Sequence, residues 1–262
     1  MGAISVREAK GKRMKAITVS VDYSHELAIT LPRNLHHFDK FVVVTSPADW
    51  KTRQVVNEAH NRDIACDLSV VVTNAFYRDG GVFRKWLALE EGLDCLGRDG
   101  WITVLDADIV LPSTMPFDKL EEGCLHSPWR RMLREPEKFS LWENDKTWEM
   151  LPAGPEGWNK EWAGYCSIFH GSDSVLGKPP WWDTSWTHAG GADSWFYRKW
   201  PEEKRRRLDC EVLHLGLDGQ NWCGRVTPFL DGTVPKEAQE RADTLNGFRA
   251  GRRQWGYAKE KV

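Results

Sequence analysis

Two carboxylates spaced two residues apart, Asp106 and Asp108, close the apolar run from Trp101 to Leu111. In an extended chain, residues i and i+2 point to the same side, about 6.5–7 Å apart, so both carboxylates can face one ligand. As a string, Asp-x-Asp is close to chance in a chain with this many aspartates; its place at the end of a buried strand gives it weight. Other residues invite chemistry of other kinds. Lys85 has Gly81 and Leu89 one helical turn away on either side, so no helix-surface ion pair explains its charge. Tryptophan is the compositional outlier, with 15 in all and 12 from Trp129 onward. Among these, Trp181, Trp182, Trp186, Trp195, Trp200 and Trp222 can pack a core or offer stacking platforms for a sugar or a base. The basic runs Lys204 to Arg207 and Arg252-Arg253 suit a phosphate backbone locally, while a formal net charge of −2 argues against binding polyanions through bulk electrostatics. Six scattered cysteines without a Cys-x-x-Cys pair suggest neither a zinc cluster nor a disulfide framework.

The elements that must position these residues are clearest in the first 111. Ala16 to Val21 alternates and is β-branched, as a first strand does, and Ser24 can cap a short helix to Leu31 that Pro32 then disturbs. Phe41 to Thr45 and Leu68 to Thr73 are continuous apolar runs of the kind covered on both faces in a parallel sheet. Asp49 can cap a helix to about Asn61 between them. Val82, Trp86, Leu89, Leu93 and Leu96 fall on one face of a helix expected over 81–96, which leads into the strand ending at Asp106. Alternating strand and helix argue for a doubly wound, mostly parallel sheet, in which ligands bind beyond the carboxyl ends of the strands. From Pro112 the pattern decays into short Trp-, Pro- and Gly-rich pieces, with a last short strand at Glu211 to Leu215. The expected organisation is a lead-in over 1–15, one α/β domain over 16–232 divided into halves at 111/112, and a basic helix or tail over 233–262. No apolar run reaches the roughly 20 residues of a membrane span, and the start lacks the apolar segment of a signal peptide, so a soluble, cytoplasmic chain is expected.

The order of features from 16 to 225 resembles the GT-A fold of glycosyltransferases that use nucleotide sugars. Four places carry it: Leu105-Asp-Ala-Asp108 as the D-x-D element; Phe83 to Leu93 as the helix before it; Ala189-Gly-Gly-Ala-Asp-Ser-Trp-Phe196 as the glycine-rich segment with an acidic residue; and Val212 to Gly216 with Asn221 to Arg225 as the C-terminal histidine region. The resemblance implies that Asp106, Asp108 and His214 hold a divalent cation, Mn²⁺ by the mixed oxygen and nitrogen donors or else Mg²⁺. It implies Lys85 and Arg225 as further neutralisers of the pyrophosphate, and Val21, Tyr23, Thr45 and Ser46 as the place of the nucleotide base. Asp193 would be the base of an inverting transfer, with Gly190 and Gly191 letting the backbone approach the sugar; it also stands where a helix cap would. Tyr165, His170 and Trp222 fall where acceptor contacts are made. The implied donor is a UDP-sugar. The implied acceptor is a hydroxyl, of a hydroxymethylated pyrimidine in DNA if the chain is like phage-encoded members, otherwise of a glycan, protein or small molecule. Two rivals are a nucleotidyltransferase, against which Asp22 to Glu26 lacks a glycine-rich phosphate loop, and a non-catalytic nucleic-acid-binding module.

Overall fold

A computed structural model describes residues 12–62, 65–154, 164–216, 221, 223–229 and 231–251. Eight strands form one mixed sheet: β1 (Met14–Val19), β2 (Lys40–Thr45), β3 (Asp67–Val72), β4 (Trp101–Leu105), β5 (Ile109–Val110), β6 (Leu125–Leu133), β7 (Cys166–His170) and β8 (Arg205–Leu215), in the order β3-β2-β1-β4-β7-β6-β8-β5. The first four run parallel. β7 is antiparallel to both β4 and β6, β6 and β8 are parallel, and β5 is antiparallel to β8. Helices α1 (Ser24–Asn34) and α2 (Trp50–His60) bury Leu27, Leu31, Val56 and Ala59 on one face with Ala16, Phe41 and Val43. On the other face α3 (Lys85–Leu96) and the short α4 (Ala192–Tyr197) bury Trp86, Leu89, Leu93 and Phe196 with Ile17, Val42, Val44 and Ile102. A sheet covered on both faces needs apolar residues at successive positions, as β2 and β4 have. The C-terminal helix α5 spans Lys236–Gly251. Among the described residues, no helix is long and apolar enough to cross a membrane.

The elements depart from sequence expectation where tertiary contacts override local preference. Helix α1 does not end at Pro32 but continues to Asn34, whose side chain donates to Ile109 O at 2.8 Å and accepts from Leu111 N at 2.9 Å; anchoring at both ends outweighs the backbone bond that proline cannot make. Its N-cap is Tyr23, not Ser24. Asp49 caps α2 as expected, accepting from Thr52 N at 3.0 Å. Helix α3 starts at Lys85 rather than Gly81, because the N–H groups of Val82 and Phe83 both donate to Thr187 O, at 2.8 and 3.0 Å, and hold that segment off the helix; Val82 packs with Cys223 and Ala242 instead. β8 begins six residues before the expected strand and takes in most of the basic run, while β6 and β7 lie where no strand was expected.

Candidate active site at the carboxyl ends of the central strands

A cavity of about 310 Å³ opens beyond the ends of β1 and β4, within the range of small-ligand sites. β4 stops at Leu105, and Asp106 to Ile109 form a turn closed by Ile109 N donating to Asp106 O at 3.2 Å. The aspartates therefore reach the cavity from a turn, not from an extended strand, yet both line it. The turn is pinned from both sides: Asp106 N donates to Tyr165 O at 2.9 Å, and Thr30 Oγ1 to Ala107 O at 2.6 Å. β8 brings His214 opposite Ile109, and Leu215 N donates to Asp108 O at 2.9 Å, so residues a hundred positions apart meet: His214 Nε2 lies 3.3 Å from Asp108 Oδ2. The partner of Lys85 is Asp106, with Nζ 2.5 Å from Oδ1.

Burial alone would raise the Asp108 carboxyl, but the adjacent His214 and its hydrogen bond hold it below the ordinary carboxylate range. Burial would lower Lys85, and Asp106 more than offsets this, so it stays firmly protonated. Asp193 lies in the first turn of α4, and Gly191, at φ 92°, occupies the cap position where an aspartate was one expectation. Its Oδ1 accepts from Ser194 N at 2.8 Å and its Oδ2 from Gly164 N at 3.2 Å. Position 164 has to be glycine for this contact, since a Cβ there would fall 2.5 Å from the Asp193 Cβ. Burial pushes the Asp193 carboxyl up, with Lys85 opposing, which makes it a better proton acceptor than an exposed aspartate.

The donor set fits a divalent cation only in part by itself. Among the described residues no three histidine, cysteine or acidic side chains group closely enough to enclose a metal. Asp108 Oδ1 is nevertheless buried without a hydrogen-bond partner, and the 3.3 Å from Asp108 to His214 is near the edge of about 3 Å of an octahedron with 2.1 Å bonds. Two or three protein ligands with the remaining positions open is how a cation held jointly with substrate phosphates is bound. Asp106, Asp108 and Asp193 line the cavity together with Lys85, Arg130 and His214; burial would lower the His214 imidazole, but Asp108 and its hydrogen bond hold it above its ordinary value.

Of the other expected site residues, Val21, Tyr23 and Tyr165 also line the cavity. The Tyr165 hydroxyl is committed, donating to Pro128 O at 2.6 Å and accepting from Arg207 Nη1 at 2.9 Å, so the residue forms wall. Arg225 needs correction. It lines the cavity, but its guanidinium grips Glu26 at 2.6 and 2.8 Å, donates to Asp22 O, Thr227 O and Pro228 O, and lies between the rings of Tyr23 and Phe229. No N–H is left for a pyrophosphate. Thr45 and Ser46 are buried outside the lining and build the turn into α2: Thr45 Oγ1 donates to Asp49 Oδ2 at 3.3 Å, and Ser46 O accepts from Asp49 N at 3.2 Å. His170 pairs with Trp101 in the β4–β7 ladder, at the opposite end of the strands from Asp106, and is removed from the site. Trp222 lies outside the described residues. Trp181, Trp182 and Trp200 are core, with Trp182 stacked on Phe196 at 3.7 Å; of the described tryptophans in that group only Trp195 is largely exposed, at 43%. In the basic run, Arg205 donates to Trp200 O, Arg206 to Glu203 O and Arg207 to Pro128 O, which ties these cations into the fold. Sequence reasoning missed Arg130, a buried cation of β6 in the cavity wall. Nothing in Trp129-Arg-Arg-Met marks it, because its neighbours Gly154, Tyr165 and His214 are all distant in sequence.

No family model matches the sequence, and no curated protein matches it. Solved structures do. The mannosyltransferase PcManGT from Pyrobaculum calidifontis, in complex with GDP-Man and Mn²⁺, matches with a TM-score of 0.51 at 17% identity, over 78% of this chain and 56% of that one. Glucosyl-3-phosphoglycerate synthase from Mycobacterium tuberculosis matches at 0.45, with 13% identity over 94% and 83% of the two chains, and mouse xyloside xylosyltransferase 1 at 0.43, with 14% over 76% and 86%. The chain thus spans little more than half the length of the mannosyltransferase. At such identities a likeness speaks to architecture, and the one to the mannosyltransferase gives this chain the α/β fold of the GT-A glycosyltransferases.

Proposed function

We propose that the protein is a metal-dependent, inverting glycosyltransferase that moves a sugar from a nucleoside diphosphate, UDP in the first instance, to an acceptor hydroxyl. The observation that carries this reading is the Asp108–His214 pair. It has one carboxylate oxygen without a partner, and it shares a cavity with the Asp106–Lys85 pair and with Asp193. Asp108 and His214, with Asp106, would hold Mn²⁺ or Mg²⁺, which when bound supplies positive charge to the departing diphosphate. Lys85 adds a second cation from the first residue of α3 and stays charged throughout. Val21 and Tyr23 wall the end of the cavity assigned to the base. Asp193, fixed by two backbone N–H groups, takes the proton of the acceptor hydroxyl as its oxygen bonds to the anomeric carbon. The bond from that carbon to the phosphate oxygen breaks, its electron pair leaves with the nucleoside diphosphate, and the configuration inverts. In this scheme the half over 16–111 serves the donor, with His214 added from the other half, and that over 112–232 serves the acceptor.

The test is nucleotide release from a panel of nucleotide sugars with Mn²⁺, with and without acceptors that include hydroxymethylated DNA, simple glycosides and small alcohols. The expected result is metal-dependent release that chelation abolishes. For Asp108→Ala, nucleotide affinity in Mn²⁺ should fall by at least about tenfold. Absence of release from every donor, together with unchanged nucleotide binding in Asp108→Ala, refutes the assignment. Strict dependence on hydroxymethylated DNA would select the nucleic-acid acceptor even though Arg205, Arg206 and Arg207 are tied to backbone carbonyls.

A further inference from the structure

Asn221, Gly224 and Arg225 bring one loop to the cavity wall. The loop is tied to the body of the fold: Arg225 grips Glu26, Arg241 Nε of α5 donates to Cys223 O at 3.1 Å, and Cys223 packs with Ala242 and Val82. Asn221 ties it to itself. Its Oδ1 accepts from Val226 N at 3.1 Å, from Thr227 N at 3.2 Å and from Thr227 Oγ1 at 3.3 Å. Two of these donors are backbone N–H groups, which can meet only an acceptor, so they settle which end of the carboxamide is oxygen. The other end, Nδ2, carries two N–H donors. Among the described residues it has no hydrogen-bond partner, and it is not sealed from solvent.

A side chain fixed by three bonds at one atom and open at the next holds its donors in place before any ligand arrives, which lowers the entropic cost of binding. The ligand it suits must offer acceptor oxygens. The cavity is short of donors for such a ligand: the carboxylates of Asp106, Asp108 and Asp193 supply none when ionised, and the Arg225 guanidinium is spent on Glu26 and backbone carbonyls. A neutral amide adds two donors without a counter-ion that would have to be displaced. Its position also fits. Thr227, which Asn221 holds, adjoins the Tyr23 hydroxyl, on which the charge of Asp108 bears, and this links the amide to the Asp108 end of the cavity. Resting on the donor assignment above, we propose that Asn221 is a diphosphate-binding residue, its Nδ2 donating to a phosphate oxygen while its Oδ1 holds the loop that carries it.

The decisive variant is Asn221→Asp, which keeps an acceptor for Val226 N and Thr227 N but replaces the two donors with an anion. Its melting temperature should stay within about 2 °C of wild type, whereas Asn221→Leu, which strands those N–H groups, should melt lower. Binding of uridine, UDP and a UDP-sugar is followed by calorimetry in saturating Mn²⁺. In Asn221→Asp the affinities for UDP and the UDP-sugar should fall by the same factor, about tenfold or more, with that for uridine unaffected. The loss should persist at about 0.5 M salt, where repulsion through space is screened but a missing hydrogen bond is not restored. Wild type gives a reading that needs no substitution: the ¹⁵N–¹H signals of the Asn221 amide should shift on adding UDP and not on adding uridine. Unchanged UDP affinity, recovery in salt or an unshifted amide overturns the proposal. A loss confined to the UDP-sugar overturns it in favour of a sugar hydroxyl, and an equal loss for uridine overturns it in favour of a displaced loop. Those outcomes leave the donor assignment standing, whereas failure of wild type to bind UDP with or without Mn²⁺ overturns both.

Discussion

Arg225 separates sequence from structure most sharply, because the two assign it different partners. On a diphosphate its loss would cost affinity; on Glu26 its loss costs the fold. Both side chains of the pair are almost fully buried, at 2% and 4%, and are joined by two bonds of 2.6 and 2.8 Å. Arg225→Met keeps the packing between Tyr23 and Phe229 but strands the Glu26 carboxylate, and breaking such a pair from one side costs about 3–5 kcal/mol. For a chain of this size each kcal/mol is worth about 2–4 °C, so the melting temperature should fall by about 6–20 °C. Replacing both partners, in Arg225→Met with Glu26→Leu, removes the stranded charge and should recover a large part of that loss. The assay is thermal unfolding by circular dichroism for the two single variants and the double, with UDP titrations well below each transition. If Arg225→Met melts within about 2 °C of wild type while UDP affinity drops about tenfold, the guanidinium serves phosphate and the argument from its hydrogen bonds is wrong.

The remaining expectations concern the acceptor side and the far end of the sheet. Asp193→Asn should keep UDP affinity within about threefold and slow transfer by about 10²–10⁴, measured as single-turnover sugar transfer; full turnover removes Asp193 from the base role. Because a base works deprotonated and burial raises this carboxyl, kcat/KM of the wild type should rise with pH through an acid limb above the ordinary carboxylate range, and the limb should vanish in Asp193→Asn. In Gly164→Ala the added Cβ, 2.5 Å from that of Asp193, forces the two segments apart; transfer should drop by about a hundredfold with nucleotide affinity little changed, and equal losses in both would contradict a local effect. His170→Ala, at the opposite end of the strands from the aspartates, should leave nucleotide release unaltered, and a large loss of release would return His170 to the site.

The first four strands and α3 are legible because their side chains obey one rule, apolar toward two covered faces. β6 and the first six residues of β8 are not, because charged residues there are satisfied across the sheet rather than by solvent: Arg131 of β6 pairs with Glu211 at 2.7 Å, and Arg207 bonds Ser127 Oγ and Pro128 O. Side chains paired in this way erase the alternation that marks a half-buried strand. The same non-locality sorts the candidate site. Asp106 and Asp108 announce themselves by their place after an apolar run, although a turn rather than an extended spacing brings both to the cavity, whereas Arg130 carries no local signal, its imidazole neighbour being 84 residues away. The resemblance gave Lys85 and Arg225 one role in the sequence, neutralising the pyrophosphate. They differ in which carboxylate neutralises them. That of Lys85 is Asp106, still 32% exposed in the cavity and itself a candidate ligand, so incoming cation and phosphate can exchange with the pair. That of Arg225 is Glu26, sealed 199 residues away in the chain, and no ligand reaches it. A cation available to substrate is therefore one whose counter-ion substrate can also reach, and that criterion takes Lys85 and rejects Arg225.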